Sequence, residues 1–497
     1  MNLMMLLEMA ASGFAERVAV QNGAARLTYQ QLFDRAGEVA AALLRADGER
    51  IALLDVSSLA MPVALFAGAW AGRPFVPLNY RLTGAELDAL LERVTPAALV
   101  TDAERASTLK SVGIDVIARD AFLATVGASG DKAPEWSMEG DDIAVLLFTS
   151  GTTGAPKAAV LRHKHLVSYI LGSVEFMGAA EDDAALMSVP PYHIAGMAAI
   201  ASSVYSGRRI VQLPTFSPDA WLALAREEHV TNAFVVPTML SRIIEALDGA
   251  QSADLGTLRA LSYGGGKMPL TVIERAMKLF PNTDFTNAYG LTETSSTISV
   301  LTPDDHRAAA ASDDAAVRRR LVSVGQPLPM LEVRICGEDG LPVGPGERGE
   351  ICVRGDQVSG EYLGRASLLS KDGWFATRDG GWLDEAGYLF LEGRIDDVIV
   401  RGGENLSPGE IEDVLLAHEA VSDAAVVGVP DEEWGEGVAA VIVLKSGARA
   451  TVPQLQAWVK RHLRSSRVPQ RIEFRSELPY NETGKLLRRQ VRAELAE

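Results

Sequence analysis

Residues Ile143-Ala144-Val145-Leu146-Leu147-Phe148 form an unbroken apolar run that leads straight into Thr149-Ser150-Gly151-Thr152-Thr153-Gly154-Ala155-Pro156-Lys157. A short run with no polar alternation suits a strand buried on both faces, and strands of that kind belong to parallel sheets covered by helices. The segment that follows carries four hydroxyl side chains, two glycines and one lysine. Glycine lets the backbone approach a ligand closely, so this donor-rich loop suits polyphosphate, although a Ser/Thr/Gly turn that binds nothing has the same composition. Gly151 and Gly154 are three apart and Lys157 follows Gly154 by three. That spacing excludes the G-x-x-x-x-G-K-[ST] loop of nucleotide hydrolases.

The flanking sequence keeps an α/β rhythm. Residues 29–44 have helical periodicity, 51–54 read as a strand, 61–70 return to helix, and the pattern resumes over 143–148, the helix-like 163–171 and the segment 219–247. From about Leu321 short strands alternate with turns such as Gly337-Glu338-Asp339-Gly340 and Gly344-Pro345-Gly346, which predicts a small antiparallel barrel or sheet. After Ile395 the pattern becomes α+β: a helix over 407–418, strands over 421–427 and 439–444, a helix over 452–463, then a basic tail. The predicted α/β architecture is a large domain over 1–395, made of helix-covered β-sheets plus a small β-barrel-like subdomain. A small mobile α+β domain over 396–497 follows on a short hinge.

A chain of 497 residues is long enough for more than one domain, and 47% hydrophobic with 23% charged residues is the composition of an ordered globule. The net charge of -18, without a basic block, repels a phosphate backbone and argues against nucleic-acid binding. Cys336 and Cys352 both lie in strand-like stretches, so buried free thiols and a reducing cytoplasm are expected rather than a disulfide scaffold. Residues 1–11 are apolar but have no basic leader, which predicts an amphipathic helix instead of a secretory signal. No apolar run is long enough to span a membrane, which leaves peripheral membrane contact and a homodimer open. The pair His163-x-His165 has no acidic or third ligand nearby, so no metal site is read there.

The string Thr149 to Lys157 resembles the signature loop of the adenylate-forming superfamily, which contains acyl-CoA synthetases, peptide-synthetase adenylation domains and luciferases. Further segments resemble that family in order along nearly the whole chain. Pro190-Pro191-Tyr192-His193 is similar to the segment lining the acyl pocket, and Ser262-Tyr263-Gly264-Gly265-Gly266 to the glycine wall along adenine and acyl chain. Asn287-Ala288-Tyr289-Gly290-Leu291-Thr292-Glu293-Thr294 resembles the second diagnostic motif. There the resemblance implies Tyr289 on adenine, Thr292 on the α-phosphate and Glu293 on Mg²⁺. In Gly373-Trp374-Phe375-Ala376-Thr377-Arg378-Asp379 it implies that Asp379 grips both ribose hydroxyls. The residue before that aspartate is usually glycine and here is Arg378, and the linker over 365–371 looks shortened.

Gly393-Arg394-Ile395-Asp396-Asp397 resembles the family hinge, with Arg394 reaching ribose or phosphate and Asp396 as pivot. In Arg401-Gly402-Gly403-Glu404-Asn405 the glycines resemble those lining the pantetheine passage, and Trp434 sits where some members stack the adenine of coenzyme A, packing being the alternative. Pro479-Tyr480-Asn481-Glu482-Thr483-Gly484-Lys485 resembles the terminal motif with the adenylation lysine, Lys485. Together these imply an enzyme that uses ATP, Mg²⁺ and coenzyme A to turn a carboxylic acid, a medium- or long-chain fatty or an aromatic one, into its acyl-CoA. The route is an acyl-adenylate with a domain rotation between half-reactions. Transfer to a separate carrier protein is the main alternative within the family, and a nucleotide-binding module without chemistry is the alternative outside it. The chain ends soon after Lys485, so a fused carrier is not expected.

Overall fold

The computed structural model describes residues 1–110, 112–124, 133–149, 157–481 and 486–496. Strands Arg50–Leu54 and Ala97–Thr101 are buried along almost their whole length. Such strands need cover on both faces. Helices supply it: Tyr29–Arg45 starts at Thr28, whose side chain accepts from the Gln31 amide in a capping box, and Ala60–Ala71 is apolar nearly all round and correspondingly buried. These strands belong to a six-stranded sheet that is parallel except for its last pair. There Ile143–Thr149 turns back on Lys157–Arg162, and Thr149 pairs with Lys157.

A nine-stranded sheet lies in the same large domain. Its interior strands Asp284–Leu291, Ala260–Gly264, Asn232–Val235, Ala184–Met187 and Arg209–Gln212 run parallel and adjacent. The motif residues 190–193, 264–266 and 289–293 therefore leave neighbouring strands at one carboxyl edge, the place where open α/β sheets bind ligands. A four-stranded antiparallel sheet, Glu332–Cys336, Gly349–Arg354, Phe375–Leu383 and Leu389–Arg394, forms the small β-subdomain. Cys336 and Cys352 are buried and free in it. The small C-terminal domain is built on a five-stranded sheet of Ile399–Arg401, Glu404–Leu406, Val421–Asp431, Gly435–Leu444 and Arg471–Arg475.

Two sequence expectations change. The segment 219–247 is two helices, Pro218–Glu227 and Pro237–Ala246, separated by strand Asn232–Val235, which is too short for its period to show between helical flanks. The basic tail is ordered: Arg471–Arg475 pairs in parallel with Gly435–Leu444, and helix Arg488–Ala496 buries Val491 and Leu495, four apart, against the sheet. The N-terminal helix, Met4–Phe14, is amphipathic as expected, with Met4, Leu7, Ala10 and Ala11 buried on one side and Glu8 and Ser12 exposed on the other. Among the described residues no helix is long and apolar enough to cross a membrane.

His163 and His165 have structural roles. The His163 Nδ1 accepts from the Leu3 amide at 3.2 Å and the His165 Nδ1 from the Arg162 amide at 3.3 Å. Burial lowers both imidazoles to about 4. The unfolded chain, with ordinary histidines, binds more protons between that value and about 6.5, so stability rises with pH across this window. The melting temperature is expected to fall steadily as pH drops from about 6.5, above the carboxylate range, and His163→Asn is expected to flatten that slope; an unchanged slope would contradict the assignment.

Candidate nucleotide and acyl site

Glycines at the carboxyl edge are required by the chain itself. A Cβ at Gly264 would lie 2.2 Å from the Ala288 carbonyl oxygen, and one at Gly290 1.6 Å from that of Ser296. Their missing side chains make room for neighbouring backbone, and only Gly265, at φ +81°, needs glycine for its turn as well. Just past Thr292-Glu293-Thr294 the chain bends sharply, with Ser295 at φ 55° and Ser296 at φ 117°. That bend presents Glu293 outside the strand end.

Tyr289, Asp379 and Arg394 meet although they are far apart in sequence. The Tyr289 hydroxyl donates to Asp379 Oδ2 at 2.7 Å, and Arg394 Nη1 pairs with Asp379 Oδ1 at 3.0 Å. The pairing follows from register, since Asp379 and Arg394 are cross-strand partners. Tyr289 is 8% exposed and packs with Ile298, Ile351 and Val353, so its phenol is raised well above its ordinary value by burial and by Asp379. Asn287 beside it donates to the Ser323 carbonyl at 3.0 Å, and Ala288 is registered with Gly264.

Glu293 has a partner that the sequence reading missed. The Tyr362 hydroxyl donates to Glu293 Oε1, the Ser359 amide donates to the Glu293 carbonyl at 2.8 Å, and Lys157 Nζ lies 5.8 Å from the Tyr362 ring centre. Burial and Glu293 together raise the Tyr362 phenol. Segment 359–363 reaches this place by lying along strand Lys157–Arg162: the Val160 amide donates to the Glu361 carbonyl and the Leu363 amide to the Ala158 carbonyl, both at 2.9 Å. Arg162 fixes it through two hydrogen bonds to the Glu361 carboxylate, at 2.9 and 2.7 Å. Thr149, Thr292, Glu293, Lys157 and Tyr362 thus gather hard oxygens and one cation beside the strand end, a donor set that fits a phosphate-bound Mg²⁺. Residues 150–156, with Ser150, Gly151, Thr152, Thr153 and Gly154, and Lys485 lie outside the described residues.

His193 caps helix Ile194–Ser206 with extended backbone. Its ring packs on Tyr192 at 4.5 Å, and Tyr192 meets Tyr80 edge-on at 5.6 Å. Burial and Arg81 lower the imidazole to about 4, so it is neutral at neutral pH, and its buried Nε2 has no hydrogen-bond partner among the described residues. A neutral ring with a free nitrogen can accept or donate one hydrogen bond to a ligand.

Gly402 and Gly403 form the tip between strands Ile399–Arg401 and Glu404–Leu406, at φ +58° and +82°, and are exposed. Trp434 covers Gly402, where a Cβ would lie 2.7 Å from the indole, and its carbonyl accepts from the Gly402 amide at 2.8 Å. Trp434 thus packs on Gly402 and remains 43% exposed. Asp396 lies in the single turn Ile395–Asp397 between the small sheet and the C-terminal domain. Across that junction Lys267, next to the glycine wall, donates to the Gly409 carbonyl at 3.2 Å and pairs with Asp413 at 2.5 Å.

The chain matches the family model of AMP-binding enzymes over residues 7–363 and that of the AMP-binding enzyme C-terminal domain over residues 410–485. It is 35% identical to a feruloyl-CoA synthase of Amycolatopsis sp, covering 95% of each chain. It is 33% identical to a fatty acid–[acyl-carrier-protein] ligase of Streptomyces coeruleorubidus, covering 94% of this chain and 91% of that one. The solved o-succinylbenzoate CoA synthetase of Bacillus subtilis in complex with its acyl-adenylate superposes with a TM-score of 0.83 at 30% identity, over 98% of this chain and 97% of the other.

Proposed function

Because this chain belongs to the AMP-binding enzyme family, we propose that it is an ATP-dependent acyl-CoA synthetase that joins a carboxylic acid to AMP and then passes the acyl group to coenzyme A. The observation that carries this reading is the convergence, at one carboxyl edge, of Glu293 with Tyr362 and Lys157, of Asp379 with Tyr289 and Arg394, and of the neutral His193. In the first half-reaction a carboxylate oxygen attacks the α-phosphorus, the bond to the bridging oxygen breaks, and pyrophosphate leaves. In the second, the thiol sulfur attacks the acyl carbon, the bond to the phosphate oxygen breaks, AMP leaves, and the thiol proton passes to solvent.

The first step brings anions together, so the residues must offset repulsion and fix an in-line approach. Asp379 accepts hydrogen bonds from the ribose hydroxyls, and Arg394 and Tyr289 hold its carboxylate in place for them. Tyr289, largely buried, is assigned to the adenine side of the nucleotide. Glu293 would hold Mg²⁺, which when bound neutralises phosphate charge, and Thr292 would contact the α-phosphate. The loop 149–154 with Lys157 is assigned to the phosphate chain of ATP, and Lys485 to the carboxylate and α-phosphate. The small domain, pivoting at Asp396, then withdraws Lys485 and brings Gly402, Gly403 and Trp434 to the coenzyme A passage. Cytoplasmic location belongs to the same proposal, supported by the two free, buried cysteines.

The substrate is an aromatic carboxylic acid. The rings of Tyr192, Tyr80 and His193, packed edge-on and tilted at the pocket segment, support this, as does the similarity to a feruloyl-CoA synthase. Thioester formation across equal concentrations of cinnamic, benzoic, hexanoic and palmitic acids is expected to favour the aromatic acids in kcat/KM by about tenfold or more, the worth of one well-placed pocket contact. A preference for the aliphatic acids would overturn the substrate assignment. The similarity to an acyl-carrier-protein ligase favours a second reading, in which the acceptor is a carrier thiol, and that reading requires free coenzyme A to be inert.

A further inference from the structure

Arg378 occupies a position that its backbone reserves for glycine. Its φ is 61°, in the left-handed region that long side chains avoid, yet it lies within strand Phe375–Leu383. Successive residues of a strand face opposite sides, and here Asp379 points into the nucleotide site while Arg378 points out. The Arg378 amide is anchored by Glu350 Oε1 at 2.9 Å. Its guanidinium meets both carboxylate oxygens of Asp396, through Nε to Oδ2 at 3.1 Å and Nη2 to Oδ1. Two ion pairs therefore clasp the same two chain segments: Asp379 with Arg394 on the inside and Arg378 with Asp396 on the outside. The inner pair is largely buried and holds the site, while the outer pair is exposed at 58% and 38% and can open alone.

We propose that Arg378 is a positioning residue that, by gripping Asp396, holds the connection to the small domain in the arrangement seen here and sets how readily that domain turns between half-reactions. This rests on the two-step reading above. In this arrangement the Gly402-Gly403 tip is exposed. With the clasped orientation taken as that of the first half-reaction, the clasp favours the first step over the second. Exposed pairs are weak and screened by salt, so the effect is one of partition, about two- to fivefold, rather than of folding. Glycine at 378 removes the pair and the left-handed strain together, whereas Asp396→Asn removes the charge and leaves the strain. Agreement between the two variants isolates the pair.

The test measures acid-dependent ATP–pyrophosphate exchange and coenzyme A-dependent consumption of supplied acyl-adenylate separately on the full chain. Arg378→Gly and Asp396→Asn are each expected to raise the ratio of the second rate to the first by about threefold, with no further change in the double variant and Arg378→Lys in between. Added salt is expected to raise the same ratio in the unaltered enzyme and not in the variants. Hydrogen exchange at 395–398 without substrates is expected to be faster in both single variants. An unchanged ratio, or equal exchange at 395–398, overturns the clasp. If the unaltered enzyme performs neither half-reaction, the two-step reading fails, and the exchange measurement still decides whether Arg378 holds the hinge.

Discussion

Replacing Lys485 with alanine is expected to lower acid-dependent pyrophosphate release by about a hundred- to a thousandfold, the loss that follows removal of one transition-state donor. Consumption of supplied acyl-adenylate by coenzyme A is expected to stay within about threefold, because the lysine stabilises charge only while the carboxylate and the α-phosphate approach each other. The substitution should not disturb the fold. On one side of 482–485 the Tyr480 hydroxyl donates to Asp423 at 2.9 Å, and on the other Leu486 packs with Val427 and Leu478. Arg488 completes the anchor through Glu412, at 2.7 Å, and the Val426 carbonyl, at 3.0 Å. Equal losses in both half-reactions, with the melting temperature unchanged, would remove Lys485 from the first step.

The second large effect belongs to Asp379. Alanine there removes the acceptor of the Tyr289 hydroxyl and leaves Arg394 only the Thr377 carbonyl, and breaking a largely buried pair from one side costs more than the pair is worth. With Arg394 27% exposed the loss of stability is expected near about 2 kcal/mol, below the fully buried range. The KM for ATP is expected to rise about tenfold or more, the scale of a lost charge-assisted hydrogen bond. Asp379→Asn keeps an acceptor for Tyr289, so it should recover most of the stability and little of the ATP affinity. Parallel recovery of both would mean that Asp379 only braces the sheet.

Much of this was legible in the sequence, and what was hidden has physical causes. Strand Ile143–Thr149 and helices Tyr29–Arg45 and Ala60–Ala71 show because apolar spacing reports burial directly. Strand Arg471–Arg475 does not, since Arg471, Glu473 and Arg475 pair with one another and with Glu494 and disguise its buried Ile472. Gly264 and Gly290 were visible as members of resembling motifs, but space for a ligand could not be told from space for the Ala288 and Ser296 carbonyls. The contacts of Asp379 with Tyr289 and of Glu293 with Tyr362 depend on how two sheets and a loop meet, which no local pattern encodes. Arg378 stood out only as a residue where glycine was expected. Its left-handed backbone confirms the positional demand, while its grip on Asp396 needed the structure.

The central claim is an acyl-adenylate made from ATP and then resolved by coenzyme A, and pyrophosphate release from Mg-ATP tests it most directly. With an aromatic acid and coenzyme A together, steady acid-dependent release is predicted, accompanied by stoichiometric thioester; with the acid alone, release is predicted to stop after about one turnover per enzyme as the adenylate stays bound. Release that ignores the acid, or an acid-dependent burst that coenzyme A leaves unchanged, would contradict it.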